Sequence, residues 1–147
     1  MKVIYEDLQT IINAHLKYLN GLEGGVKAEL EGLDLYGKDM AGVNFKGANL
    51  KDTNLKRTIL LNANLEEANL ENAGFKHAIM QGVNLRGACL KGAGLKGVNL
   101  IGADLRDADL TGADLDSAIL DVAFFNSKTK WPEGFDPKVT GAIKVED

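Results

Sequence analysis

Few residues in this sequence have the types and spacing that catalysis requires. The two histidines, His15 and His77, lie far apart with no motif linking them, and His15 falls on the apolar side of a predicted helix. Cys89 could act as a reactive thiol or form an intermolecular bridge, but no catalytic motif surrounds it. No nucleophile elbow, phosphate-binding loop or Cys/His metal spacing occurs. We therefore predict that the protein is not an enzyme and has no catalytic residue, metal or cofactor.

Carboxylates are the one group of reactive side chains that cluster. Residues 104–127 contain six aspartates and one base, Arg106, whereas residues 48–103 contain seven bases and four acids. We call these aspartates the acidic end: Asp104, Asp107, Asp109, Asp114, Asp116 and Asp121. They are either solvated side chains at ordinary surface positions or a binding surface, and the sequence leaves both interpretations open.

Composition and charge narrow the class of protein. A chain of 147 residues fits one domain, and its net charge of -4 is not typical of a nucleic-acid-binding protein. A single cysteine excludes an intramolecular disulfide. Acids stand near the start, where a signal peptide would be apolar, and no apolar run approaches the roughly 20 residues that span a bilayer. We expect a cytoplasmic protein that binds neither nucleic acid directly nor a membrane.

The elements that position these side chains follow an unbroken period of five residues. From 28 to 127, twenty consecutive pentapeptides have an apolar residue at the centre, as in Leu30, Leu35 and Met40. Neither a 3.6-residue helix nor a strand with alternating faces has this period. Repetition at a fixed spacing indicates a solenoid, in which each unit buries its apolar side only by stacking on its neighbours.

The position two residues after each central residue indicates a tight turn. Half of the units have glycine there, and others have Asp52, Asn62, Asn72 or Asp107. Glycine adopts positive φ without steric cost, and Asn and Asp also tolerate it. The chain is therefore predicted to turn a corner every five residues.

The units resemble those of the pentapeptide repeat family. Segments 48–50 and 68–70 read Ala-Asn-Leu, and 108–110 and 113–115 read Ala-Asp-Leu, each followed by two variable residues. The resemblance covers about two-thirds of the chain. It implies an all-β solenoid, a right-handed quadrilateral parallel β-helix of about five coils with four pentapeptides per coil. The central residue and the residue two before it would point inward, and the other three outward.

The flanking segments are predicted to cover the open ends of the solenoid. Residues 1–27 would form an N-terminal capping helix over 4–20 and a turn, 28–127 the β-helix, and 128–147 a C-terminal capping tail. Apolar residues at spacings of three and four mark the buried side of the helix: Ile4, Leu8, Ile11, Ile12, His15, Leu16 and Leu19. In the tail, the residues expected to cover the last coil are Trp131, Phe135, Val139 and Ile143.

Two patterns emerge on the outward positions that the family geometry implies. Glu31, Lys51, Glu71 and Lys91 alternate in sign on successive coils and are expected to stabilise stacking.

On the third face, aliphatic residues occupy positions that are mostly polar elsewhere. We call them the apolar stripe: Ile59, Leu61, Ile79, Ile101 and Ile119. They either stack between strands as β-branched residues do, are covered by a terminal segment, or contact a protein partner.

Our functional interpretation is a rigid, non-enzymatic scaffold for protein–protein interaction. Its partner is unidentified, and the contacts include self-association, for example as a dimer. The alternative comes from the family resemblance, since some members mimic duplex DNA and bind DNA gyrase, which underlies quinolone resistance. This chain is shorter than those members, has no loop interrupting its repeats, and is basic in its middle, whereas a duplex mimic should be acidic along its length.

Overall fold

The computed structural model describes residues 7–147. From residue 28 to residue 127, the same backbone pattern of a turn and a single bridge recurs every five residues with few exceptions. Helix α1 spans Leu8–Leu19, strand β1 Phe124–Phe125, a 3-10 helix Pro137–Val139, and strand β2 Ile143–Lys144. β1 and β2 pair in parallel. Within residues 7–147, no helix is long and apolar enough to cross a bilayer.

Each coil contains 20 residues. Single parallel bridges join residues twenty apart, for example Asn49 to Asn69 and Asn64 to Asn84, and this register holds from Glu29 to Phe124. Because the sequence period is five, each coil has four faces. We number the faces by their central residues in chain order: face 1 contains Leu50, face 2 Leu55, face 3 Leu60 and face 4 Leu65. The predicted quadrilateral β-helix of five coils, capped by one N-terminal helix, is confirmed.

The corners adopt the predicted turn. Every residue two positions after a central residue, from Gly32 to Val122, has positive φ, between 50° and 72°. The central carbonyl accepts a hydrogen bond from the N–H three residues later, as Leu65 does from Ala68 at 3.0 Å. This is the pattern of a β-turn whose third residue must be left-handed, the conformation that glycine favours.

The core is a column of aliphatic and aromatic side chains, joined in coil 2 by Thr53 and Thr58, whose hydroxyls donate to backbone carbonyls. From coil 2 upward, the central residues and those two before them are buried, except for the partly buried Ala118, and Leu70, Leu85 and Leu100 are fully enclosed. The first coil is less complete, as its sequence indicates, because Leu33 is only partly buried and Lys38 is exposed. The stacked coils therefore form a regular frame on which the outward residues stand at fixed positions.

Helix α1 covers the open end of the first coil. The Asp7 side chain accepts a hydrogen bond from the Gln9 N–H and begins the helix, which ends at Asn20 with Gly21 in the left-handed conformation. Leu8, Ile11 and Ile12 pack against the core. The predicted inward position of Leu16 is wrong, since this residue is exposed, and Ile4 lies outside the described residues.

The C-terminal tail covers part of the last coil. The Trp131 ring packs edge-on against Phe125 and stacks on Phe135, with ring centroids 5.4 and 5.1 Å apart. β2 adds one strand above face 4, so Ile143 takes part through its backbone and stays half-exposed. The expected contribution of Val139 is wrong, because its side chain is 82% exposed. Val139 is the last residue of the 3-10 helix, and its side chain faces solvent.

Candidate interaction surfaces

The apolar stripe runs along face 3 from coil 2 to coil 5. Ile59 and Ile79 are joined by a parallel bridge, so their side chains stack, and each of the four coils contributes at least one aliphatic residue. Leu61 is 38% exposed, Ile79 42% and Ile119 44%, while the side chains of Ile59 and Ile101 are partly buried. The five residues thus share one surface, with Asn99 between Ile79 and Ile119, and no terminal segment covers them among the residues described.

The other faces have a different arrangement at the same positions. Wherever the residue before the central one is Asn or Asp, its Oδ1 accepts a hydrogen bond from the backbone N–H two residues later, as Asn84 does from Arg86 at 3.0 Å. Asn69 does so from Glu71, at 3.1 Å, on the face opposite Ile79. Aliphatic side chains interrupt this polar pattern only on face 3. Exposed aliphatic groups in a row commonly mark a protein contact.

The residues of the acidic end lie on all four faces, and most of them contact a base. Asp104 contacts Arg106 at 2.6 Å, Asp107 contacts Arg86 at 3.2 Å, and Asp109 contacts Lys91 at 3.7 Å. Asp116 lies 4.0 Å from Lys96. Asp114 and Asp121 have no base within 4.0 Å among residues 7–147. The structure therefore brings these aspartates to one end of the rod but does not concentrate their charge on one surface.

Three of these aspartates have lowered pKa values. Burial raises the pKa of Asp104, but hydrogen bonds from the Arg106 side chain and backbone outweigh it and bring the pKa below its ordinary value. The pKa of Asp107 is lowered chiefly by a hydrogen bond from Asn126. For Asp109, hydrogen bonds from Thr111 outweigh the effect of burial, so its pKa is lowered too. Local hydrogen bonds thus stabilise these charges, as expected for structural carboxylates.

The bases of coils 2–4 are divided between faces in a way that the linear charge pattern does not reveal. Lys51, Arg86 and Lys91 lie on faces 1 and 4 and contact carboxylates. Lys56, Lys76 and Lys96 occupy one column of face 2, and Arg57 stands at the corner beside Lys56. We call these four residues the basic strip. The spacing of twenty residues between the three lysines is the signal that identifies their column in the sequence.

The predicted charge ladder forms only in part. Lys51 contacts Glu71 at 3.9 Å. Glu31 accepts a hydrogen bond from the Asn49 side chain, and Lys91 contacts Asp109 in the coil above. The charges alternate in sign as predicted, but each lysine has a carboxylate in the coil below and another in the coil above, and it contacts only one of them.

The remaining reactive residues have structural environments. His15 is fully buried between α1 and the first coil: its Nδ1 accepts from the Ala28 N–H at 3.0 Å, and its Nε2 lies 2.9 Å from the Lys46 carbonyl. His77 is exposed at a corner, and Cys89 is a partly buried free thiol on face 1. Within residues 7–147, no group of three or more His, Cys, Asp or Glu side chains is arranged to hold a metal ion.

These features define a class of protein: a capped, four-sided parallel β-helix built from five-residue units. The family model described as pentapeptide repeats, in eight copies, matches residues 26–61, 60–97 and 88–126. The chain belongs to the pentapeptide repeat family, and the predicted resemblance is confirmed. No curated protein sequence matches the chain significantly.

Solved structures agree with this assignment. A pentapeptide repeat protein from the thylakoid lumen of Arabidopsis thaliana is 27% identical, with a TM-score of 0.65, over 67% of this chain and 68% of that one. Rfr23, from the cyanobacterium Cyanothece 51142, is 33% identical, with a TM-score of 0.64, over 73% of this chain and 90% of that one. QnrB1, a plasmid-mediated fluoroquinolone resistance protein, is 16% identical with a TM-score of 0.38, over 80% and 84% of the two chains. This last likeness is too loose to bear on function.

Proposed function

We propose that the protein is a non-enzymatic cytoplasmic scaffold that binds another protein through the apolar stripe. The observation that carries the proposal is the exposure of the aliphatic residues Leu61, Ile79 and Ile119 on face 3, whereas the outward positions of the other three faces have no aliphatic residue. Removing such side chains from water is favourable by roughly 25 cal/mol per Å². The bound partner would supply that burial.

The frame makes this surface suited to binding. Each coil is held to the next by backbone hydrogen bonds on every face, for example Leu60 N–H to Ile79 O at 2.8 Å and Ile79 N–H to Thr58 O at 3.0 Å. The stripe residues are therefore fixed relative to one another before a partner arrives. A preformed surface loses little conformational entropy on binding.

The test compares Ile79→Asp with Asn69→Asp. Both substitutions place a carboxylate at the same position of coil 3, but Asn69 lies on the opposite face, where aspartate can keep the hydrogen bond to the Glu71 N–H. Sedimentation velocity measures self-association, and affinity capture from the native host followed by quantitative mass spectrometry measures other partners. We expect a dimer or a captured protein to be retained by wild type and Asn69→Asp and lost from Ile79→Asp. An association that all three proteins share equally would refute a role for the stripe.

The alternative, a DNA mimic that binds gyrase, has less support. A mimic needs unpaired negative charge along the rod, whereas Asp104, Asp107, Asp109 and Asp116 each lie within 4.0 Å of a base. A supercoiling assay with purified DNA gyrase separates the two functions. We expect no effect at micromolar protein, and inhibition or protection of the enzyme there would favour the mimic over the scaffold.

A further inference from the structure

We propose that the basic strip on face 2 binds an acidic, extended segment of a partner protein. The strip consists of Lys56, Arg57, Lys76 and Lys96, and all four side chains are exposed. It lies on a different face from the apolar stripe, so the inference goes beyond the function proposed above and does not depend on it.

Unpaired charge sets three of the four strip residues apart from the other bases of coils 2–4, Lys51, Arg86 and Lys91, each of which contacts a carboxylate. Lys56, Arg57 and Lys76 have no carboxylate within 4.0 Å among residues 7–147. Lys96 lies 4.0 Å from Asp116, and both side chains of that pair are more than half exposed. The three lysines occupy the same position of successive coils, about 4.8 Å apart. Like charges stacked in this way repel, and a bound anion would remove the repulsion.

The surface beside the lysines is open. Gly74 and Gly94 stand where most units have Asn or Asp, and they are bridged to each other in successive coils. A Cβ atom on Gly74 would have only the Lys56 side chain within 4 Å. A shallow depression of about 240 Å³ lies here, lined by Asp52, Asn54, Lys56, Asn72 and Gly74, among others. A peptide side chain can therefore approach the backbone of face 2 closely.

Backbone donors add to the positive charge. In units with Asn or Asp, the side-chain oxygen accepts from the N–H two residues later, as Asn54 does from Lys56 at 3.1 Å. The N–H groups of Lys76 and Lys96 have no such acceptor among the described residues, because glycine precedes them in the pattern. A ligand carboxylate at this position would receive a backbone hydrogen bond and face an ammonium group. Hydrogen bonds to charged groups are stronger than those between neutral ones.

The extent of the strip favours an acidic protein segment over a nucleic acid. Lys56 and Lys96 are two coil spacings apart, about 10 Å, and face 2 becomes acidic at both ends, with Asp34 in the first coil and Asp114 and Asp116 in the last. A duplex has about one charge per 1.7 Å and would meet those acids on either side. A peptide that crosses the rod along face 2 presents a few carboxylates to the strip alone. The net charge of -4 also opposes a long polyanion.

The probe is fluorescein-labelled hexaglutamate, and its affinity is measured by fluorescence anisotropy at low salt. The variant Lys56→Gln/Lys76→Gln removes two charges from the strip. The matched control, Lys51→Gln/Lys91→Gln, removes two lysines from face 1 that already contact Glu71 and Asp109. We expect the first variant to bind about tenfold more weakly, the control to change by less than about threefold, and binding to weaken as salt rises.

A third variant tests the same surface without removing a lysine. Gly74→Asp places a carboxylate inside the site, where it can accept from the Lys76 N–H; the position is free of backbone contacts and has no positive φ. We expect it to fold normally and to bind hexaglutamate about tenfold more weakly, because its own carboxylate occupies the site. The proposal is overturned if hexaglutamate does not bind at millimolar concentration, or if the face 1 control weakens binding equally. It is also overturned if a single-stranded DNA oligonucleotide of equal charge binds more tightly than the peptide.

Discussion

His15 is the residue whose perturbation best tests how the N-terminal cap is held. Because the Ala28 N–H donates to Nδ1, the proton of the neutral ring is on Nε2, which donates to the Lys46 carbonyl. The ring also packs edge-on against Phe45, with centroids 5.8 Å apart. Protonation would add a hydrogen to Nδ1, which could then no longer accept from the Ala28 N–H. Burial, the largest cause, lowers the pKa of His15 below its ordinary 6.5.

The sign of the pH effect follows from that direction. Below pH 6.5 the unfolded chain takes up a proton that the folded protein resists, so stability is full above this pH and falls as the pH decreases. A ring that stays neutral in the folded state lowers the free energy of unfolding by about 1.4 kcal/mol between pH 7.5 and pH 5.5. The His15→Gln variant cannot titrate. It should lose about 1–3 kcal/mol at pH 7.5, because buried hydrogen-bond partners lose their geometry.

Urea denaturation of three proteins at the two pH values measures these differences. We expect the wild type to lose more stability than His15→Gln on acidification, by up to about 1.4 kcal/mol. The control, His77→Gln, changes a histidine that is exposed at a corner and should behave as the wild type does. The reasoning is refuted if His15→Gln retains the full pH dependence, or if His77→Gln removes it.

Two further predictions concern the C-terminal end. Val122 is a β-branched residue with a φ of 50°, so Val122→Gly should raise the free energy of unfolding by about 1 kcal/mol in thermal melts. The reverse change at the corresponding corner one coil lower, Gly102→Val, should lower the free energy of unfolding by a similar amount. A Gly102→Val variant more stable than the wild type would contradict the strain argument. Asn126 is buried and exchanges two hydrogen bonds with Asp107, at 2.9 and 3.1 Å, so Asn126→Ala should cost about 2 kcal/mol. Asn126→Ala should also raise the pKa of Asp107, which a carboxyl NMR titration measures. An unchanged pKa would show that the hydrogen bond from Asn126 is not the main cause of the lowered value.

The frame was predictable because one property of the chain is repeated without interruption. A five-residue period requires a corner in every unit, and residues such as Arg57 and His77 adopt positive φ there although their side chains do not favour it. The neighbours' hydrogen bonds impose that conformation, since the Arg57 N–H donates to the Lys76 carbonyl at 3.0 Å. The five-residue period therefore predicted the corner conformation better than the φ preferences of the individual residues did. The family and the fold, which both depend on this repeated period, are confirmed.

The flanks and the ion pairs were less predictable because they do not repeat. Leu16 follows the helical spacing of the buried residues, yet the helix meets the coil over less than its full length and leaves this residue exposed. Lys91 has Glu71 in the coil below and Asp109 in the coil above, and it contacts Asp109. Sequence spacing places both carboxylates within reach but does not decide between two weak, solvent-exposed contacts.

The division of the bases between faces shows how the frame separates stability from recognition. Inward positions are filled mostly by aliphatic and aromatic residues, so substitutions there change stability. Outward positions are spaced by backbone geometry alone, and a lysine there can pair with the next coil, as Lys51 does, or remain free, as Lys56 does, while the fold is kept. Stacking therefore does not require the lysines of the basic strip, two of which have no carboxylate within 4.0 Å among residues 7–147, or the isoleucines of the neighbouring face. They are features that the fold permits but does not require, which is why we assign binding to them.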